Sequence, residues 1–137
     1  MQITVEAEVA APIDLVWVCW TTPEHILQWN AASDDWHTTE AQVDLRVGGT
    51  FRSRMEAKDG SMGFDFEGTY TTVRPLTLLE ASFGGRQLSV AFEQDGDVVR
   101  IRETFDAEPS QPIDMQRDGW QAILDNFVRH VAQVAAA

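Results

Sequence analysis

Glu103 falls on the same alternation as Val99, Ile101 and Phe105 in the segment VVRIRETFD, a run whose other parity carries Arg100 and Arg102. A carboxyl on the apolar side of a strand loses its water. Its pKa rises, and it can hold a ligand's donor group or work as an acid or base near neutral pH. A bulge or strand end would instead turn it to solvent, and a paired structural role is the other alternative. Two further polar groups share apolar faces. Tyr70 ends the alternating series Phe64, Phe66, Gly68, and Gln116 precedes Trp120 by one helical turn. Both could orient a bound molecule, while Gln116 could equally bond a nearby strand or loop. Arg86, beside Gly84 and Gly85, reads as a solvated hairpin-tip charge.

The remaining reactive residue types suggest no chemistry. His25, His37 and His130 are scattered, with no i, i+4 pair and no acidic box, so no metal site is expected. Cys19 sits in an apolar helical stretch with no histidine placed to activate it, and reads as a buried filler. No serine lies in a nucleophile elbow, and neither Gly48-Gly49 nor Gly84-Gly85 opens a helix as a phosphate loop would. No catalytic motif and no cofactor are expected. A single cysteine excludes an internal disulfide and fits a reducing cytoplasm.

The elements that must position these groups follow from periodicity. Residues 2 to 10 alternate as a strand with one wet face. Pro12 begins a short apolar helix, and Thr21-Thr22-Pro23-Glu24 breaks it and starts a second that runs to about Trp29. Residues 30 to 35 are polar loop. From Trp36 to Asp106 strands and tight turns are expected: 36–45, 50–57, 62–73, 76–83, 87–93 and 98–106, with turns at Gly48-Gly49, Lys58-Asp59-Gly60, Pro75, Gly84-Gly85 and Asp95-Gly96. The last segment, from about Ser110 to Val134, repeats apolar residues at three and four: Ile113, Trp120, Ile123, Leu124, Phe127, Val131 and Val134. Ser110 is a candidate cap, Asp114 suits the positive end of the helix dipole, and Arg129 and His130 the negative end. At about 1.5 Å per residue this helix is roughly 35 Å long and needs a large partner surface. Only the strands offer one. Consecutive hairpins covered on one face by a helix make an α+β domain with no visible internal boundary.

Several strings, in this order, resemble a known superfamily: APIDLVWVCWTTPEHILQW, DLRVGGTFRSRMEAKDG, FEGTY, VAFEQDGDVVRIRETFD and QRDGWQAILDNFVRHV. The chain is similar to the helix-grip proteins of the START and pollen-allergen (SRPBCC) superfamily, and within it to the branch homologous to the activator of the heat-shock-protein-90 ATPase. The resemblance implies a curved antiparallel sheet of about seven strands wrapped around the C-terminal helix, two short helices after the first strand, and a cavity opening near those helices. It spans most of residues 1–137, so the separate N-terminal domain of full-length co-chaperones is not expected. It leaves chemistry open, because the superfamily includes lipid carriers, hormone receptors, polyketide cyclases and co-chaperone modules.

The candidate ligand-binding residues are Trp29, Trp36, Phe51, Met55, Phe64, Phe66, Tyr70, Leu88, Val90, Phe92, Ile101, Glu103, Gln116, Trp120, Ile123 and Phe127, with Trp29 and Trp36 at the cavity mouth. An apolar wall with a few placed polar groups is the make-up of a ligand cavity. The same periodicity also builds a dry core. The other strand faces carry Arg52, Arg54 and Glu56, Asp65 and Glu67, and Arg100 and Arg102, which suits cross-strand ion pairing on a wet surface.

Composition bounds the partners. The 22 acidic against 10 basic residues give a formal net charge of -12, a field that repels nucleic acid and anionic lipid. The N-terminus enters a strand directly, so neither a signal peptide nor a membrane span is expected. The resulting expectation is a cytoplasmic monomer or weak dimer that binds a hydrophobic or amphipathic small molecule. The alternatives are a cyclase- or hydrolase-like enzyme using a buried acid in the same cavity, and a module that binds a chaperone or regulator.

Overall fold

The computed structural model describes residues 1–137. The elements run β1 (Gln2–Val9), α1 (Ile13–Thr21), α2 (Pro23–Trp29), β2 (Trp36–Val43), β3 (Thr50–Ala57), β4 (Gly63–Arg74), β5 (Leu78–Phe83), β6 (Arg86–Asp95), β7 (Val98–Asp106) and α3 (Ile113–Ala136). All seven strands form one antiparallel sheet in the order β1-β7-β6-β5-β4-β3-β2. The expected α+β helix-grip architecture is the observed one. Strands 2 to 7 follow one another as hairpins, while α1 and α2 carry the chain from one edge of the sheet to the other.

Two breaks in alternation shape the sheet. The register against β3 shifts between Thr38 and Glu40, so that Thr38 faces inward before the break while Ala41 and Val43 are the more buried residues after it. A second shift, between Tyr70 and Thr72, moves the inward parity of β4 from Tyr70 to Val73. Extra residues of this kind bend a strand and increase its twist. On the outer face, Arg52 bridges Glu40 and Asp65, Arg54 bridges Glu56 and Asp65, and Arg100 bridges Glu8 and Asp95. Those are the expected charge ladders.

Some local expectations need correction. Leu76 is not in a strand: it has φ 66° inside the turn before β5. Ser110 does not cap α3; its hydroxyl donates to Glu108 Oε1 at 2.8 Å, and the helix begins behind Pro112 with no side-chain cap. The helix also runs on to Ala136, which leaves Arg129 and His130 short of its last turn. His130 is instead buried.

The core has two parts. The larger joins the helical hairpin, the sheet and α3 through Val5, Val16, Cys19, Val90, Val99, Ile101, Leu124, Phe127 and Val131 among others. The smaller centres on Ile3, Phe83 and Phe105, with Leu88 and Trp120 packed against both. On β7, Glu103 lies between Ile101 of the first and Phe105 of the second.

Candidate functional site: an aromatic cavity around Glu103

At that interruption a cavity of about 210 Å³ opens between sheet and helices. Alternation aims its walls. Phe51, Ser53 and Met55 come from β3, Phe64, Phe66 and Tyr70 from β4, Leu79 and Ala81 from β5, Leu88 and Val90 from β6 and Glu103 from β7. The hairpin adds Trp20, Ile26 and Trp29, and α3 adds Trp120 and Ile123. Aromatic contacts set the wall: Phe51 lies against Phe66 (centroids 5.6 Å) and Tyr70 (5.2 Å), and Trp120 meets Phe66 edge-on at 5.9 Å. Phe64, 48% exposed, stands at the rim. The Phe51 ring lies over Gly68, its cross-strand partner, where a β-carbon would come within 2.8 Å of the ring.

Glu103 is 6% exposed and pairs across the sheet with Val5 on one side and Val90 on the other. Burial alone pushes its carboxyl up to about 8, with no neighbouring charge or hydrogen bond contributing. Tyr70 is pushed up to about 12 for the same reason. No fully buried side-chain oxygen or nitrogen in the protein lacks a partner, so these two unbonded groups reach open cavity space. At pH 7 the carboxyl is mainly neutral. It can donate one hydrogen bond and accept others, or give up its proton to a stronger base. No histidine, lysine or arginine lines the cavity beside it.

Of the residues singled out in the sequence, Trp29, Phe51, Met55, Phe64, Phe66, Tyr70, Leu88, Val90, Glu103, Trp120 and Ile123 line this space. Five do not. Phe92 packs edge-on against Trp17 and Trp20, Phe127 against Trp20 and Trp29, and Ile101 is solid core. Trp36 sits outside, tilted against Phe64 at 5.9 Å and bordering a separate surface hollow. Trp29, 6% exposed, lines both the cavity and that hollow, its Nε1 donating to the Cys19 carbonyl at 2.9 Å. Gln116 secures the loop ahead of α3: its amide accepts from Glu108 N at 2.7 Å and donates to Glu108 O at 3.0 Å and Gln111 O at 3.1 Å. Sequence reasoning missed Trp20, Ile26, Asn30, Gln42, Val43, Ser53, Leu79 and Ala81. The alternation Leu79, Ala81, Phe83 and the face shared by Phe51, Ser53 and Met55 carried a signal for three of them. Asn30 and Gln42 had none.

A curled seven-stranded antiparallel sheet gripping a long C-terminal helix, with an apolar cavity between them and two short helices after the first strand, defines a helix-grip protein of the SRPBCC superfamily. Residues 10–132 match the family described as activator of Hsp90 ATPase homolog 1-like protein, and the chain belongs to that family. The AHSA1-like protein from Aeromonas hydrophila, solved by solution NMR, is 47% identical over 100% of this chain and 96% of its own, with a TM-score of 0.93. A protein from Cytophaga hutchinsonii is 46% identical over 96% of this chain and 92% of its own, with a TM-score of 0.84. Protein NE0264 from Nitrosomonas europaea shares the fold, with a TM-score of 0.85 at 20% identity over 100% of this chain and 97% of its own. No curated protein matches the chain. No helix is long and apolar enough to cross a membrane.

Proposed function

We propose that the protein binds a small molecule with an aromatic or short aliphatic body and one hydrogen-bonding head, such as a hydroxyl, carbonyl or amine, in the cavity around Glu103. The observation that carries this reading is the pairing of an aromatic wall with two polar groups, Glu103 and Tyr70, that have no partner of their own. Both groups reach open cavity space, and a ligand head placed between them would gain hydrogen bonds worth roughly 0.5–1.5 kcal/mol net each. Size narrows the class. About 150 Å³ accommodates benzene, and drug-sized pockets begin at about 300 Å³, so a cavity of 210 Å³ suits one or two rings or a short chain rather than a long-chain lipid. The buried, unpaired Cys19 fits a reducing compartment, and we place this binding in the cytoplasm.

The test is titration of the isotopically labelled protein with a panel of small phenols, aromatic amines and short-chain alcohols and acids, with native mass spectrometry of the purified protein alongside. Saturable shifts at Phe51, Tyr70, Leu88 and Trp120, weakened in Glu103→Gln, are expected. A panel that moves none of these signals sinks the proposal. Turnover of a bound compound that is lost in Glu103→Gln would extend it to acid-base catalysis.

The family's description as homologous to an Hsp90 ATPase activator supports a second reading, a module that engages a chaperone or regulator through its acidic exterior. It predicts binding to a basic protein surface that weakens as salt rises. Absence of binding at low salt removes it.

A further inference from the structure

The sequence separates Cys19, His25 and His130, and each belongs to a different helix. The fold brings them together at the junction of α1, α2 and α3. His25 Nδ1 and His130 Nε2 lie 2.8 Å apart in a hydrogen bond, the rings crossing at 66°. Cys19 Sγ completes a group whose three donor atoms all lie within 4.8 Å of one another. Cys19 and His130 are buried and His25 is half-buried. This cluster is separate from the Glu103 cavity, which none of the three residues lines.

We propose that Cys19, His25 and His130 bind one thiophilic d10 cation, Zn²⁺ or Cu⁺, which ties the α1-α2 hairpin to α3. Two imidazoles and a thiolate are the donor set such ions select over Mg²⁺ or Ca²⁺, which take oxygen. The geometry is near what binding needs. A tetrahedral ion about 2.0–2.1 Å from nitrogen and about 2.3 Å from sulfur holds its donors roughly 3.3–3.6 Å apart. The two nitrogens, now 2.8 Å apart, would open by about 0.5 Å, and the sulfur, within 4.8 Å, would close by about 1.2 Å at most.

An open fourth position has a route to solvent, because His130 also borders the surface hollow that contains Asn126 and Gln133. The Asn126 amide donates to the Ala31 carbonyl and so fixes α3 against the segment after α2 beside the site. Burial holds the free Cys19 thiol above its usual range and His130 below its own. A cation binds the thiolate form, so metal capture would displace the thiol proton.

The experiment begins with chelator-treated, reduced full-length protein. Zn²⁺, and in a separate anaerobic arm Cu⁺, is titrated against a chromophoric competitor, and Co²⁺ serves as a spectroscopic probe. The expected result is one equivalent bound, a thiolate-to-cobalt charge-transfer band that disappears in Cys19→Ala, and affinity lowered by more than about tenfold in His25→Gln. Ring-nitrogen shifts of His25 and His130 in the unmodified protein give a readout that requires no variant to fold. Zn²⁺ should also raise the thermal midpoint, and His25→Gln should cancel the rise. The proposal is overturned if neither ion binds at one equivalent, or if binding survives both substitutions with the histidine shifts unmoved, which would place the ion on surface carboxylates.

Discussion

Trp120 on the terminal helix lies flat against Phe105 of β7, ring centroids 3.8 Å apart and planes 11° apart. Phe105 is fully buried and belongs to the smaller core cluster, while Trp120 also forms cavity wall. One stacked pair thus fixes the helix to the sheet and the cavity's end to the core. Trp120→Ala should lower stability in urea denaturation by about 3–5 kcal/mol, and Trp120→Phe by less, because a smaller ring keeps part of the stack. The alanine variant should also lose any ligand response that Glu103 and Tyr70 retain.

Glu103 makes stability depend on pH in an unusual direction. Its folded pKa of about 8 lies above the ordinary 4.5, so between those values the folded protein keeps a proton that the unfolded chain has released. Stability then falls as pH rises through that window, by about 1.4 kcal/mol per pH unit at its steepest, and levels off above about 8. His130 works the other way: its depressed pKa means that stability falls as pH drops below the ordinary 6.5. Urea midpoints of the natural protein minus those of Glu103→Gln cancel the histidine contribution. That difference should slope downward from about pH 5 to pH 8; a flat difference would mean that the carboxyl is hydrated.

Two glycines give opposite expectations for one change. At Gly68 a β-carbon would approach the Ser82 carbonyl oxygen to 2.6 Å and the Phe51 ring to 2.8 Å. Gly68→Ala should cost about 1–3 kcal/mol and crowd the Phe51 ring, weakening uptake of the larger members of a ligand series first. Gly119 lies within α3, and a β-carbon there would meet nothing within 4 Å. Gly119→Ala should therefore stabilise by about 0.5–1 kcal/mol. Paired thermal or urea denaturation of the two variants checks both signs.

Binary alternation made most of the cavity wall readable in advance, because Phe51 and Met55, Phe64, Phe66 and Tyr70, and Leu88 and Val90 each follow from a period of two once the strand is known. Glu103 was legible for the same reason, since nothing shifts the parity of β7. Phe92 and Ile101 obey that period as well and still miss the cavity, because how far along a strand the hollow extends depends on where α1 and α2 pack. The two register shifts, at Thr38/Glu40 and Tyr70/Thr72, carry no glycine or proline marker. The approach of His25 to His130 across 105 residues is a tertiary event with no local periodicity to announce it.

The pairing of the first strand with the last has a consequence for synthesis. Gln2 sits opposite Asp106 and Val9 opposite Val99, so β1 has no partner for its backbone until the chain has emerged almost to its final helix. During translation its apolar face, Ile3, Val5 and Val9, stays without the β7 partner until that strand has emerged. The scattered acids Glu6 and Glu8 on its other face would discourage it from joining another nascent chain in the interval, and ribosome-stalled fragments that end before residue 98 should leave β1 open to added protease, whereas the full-length protein protects it.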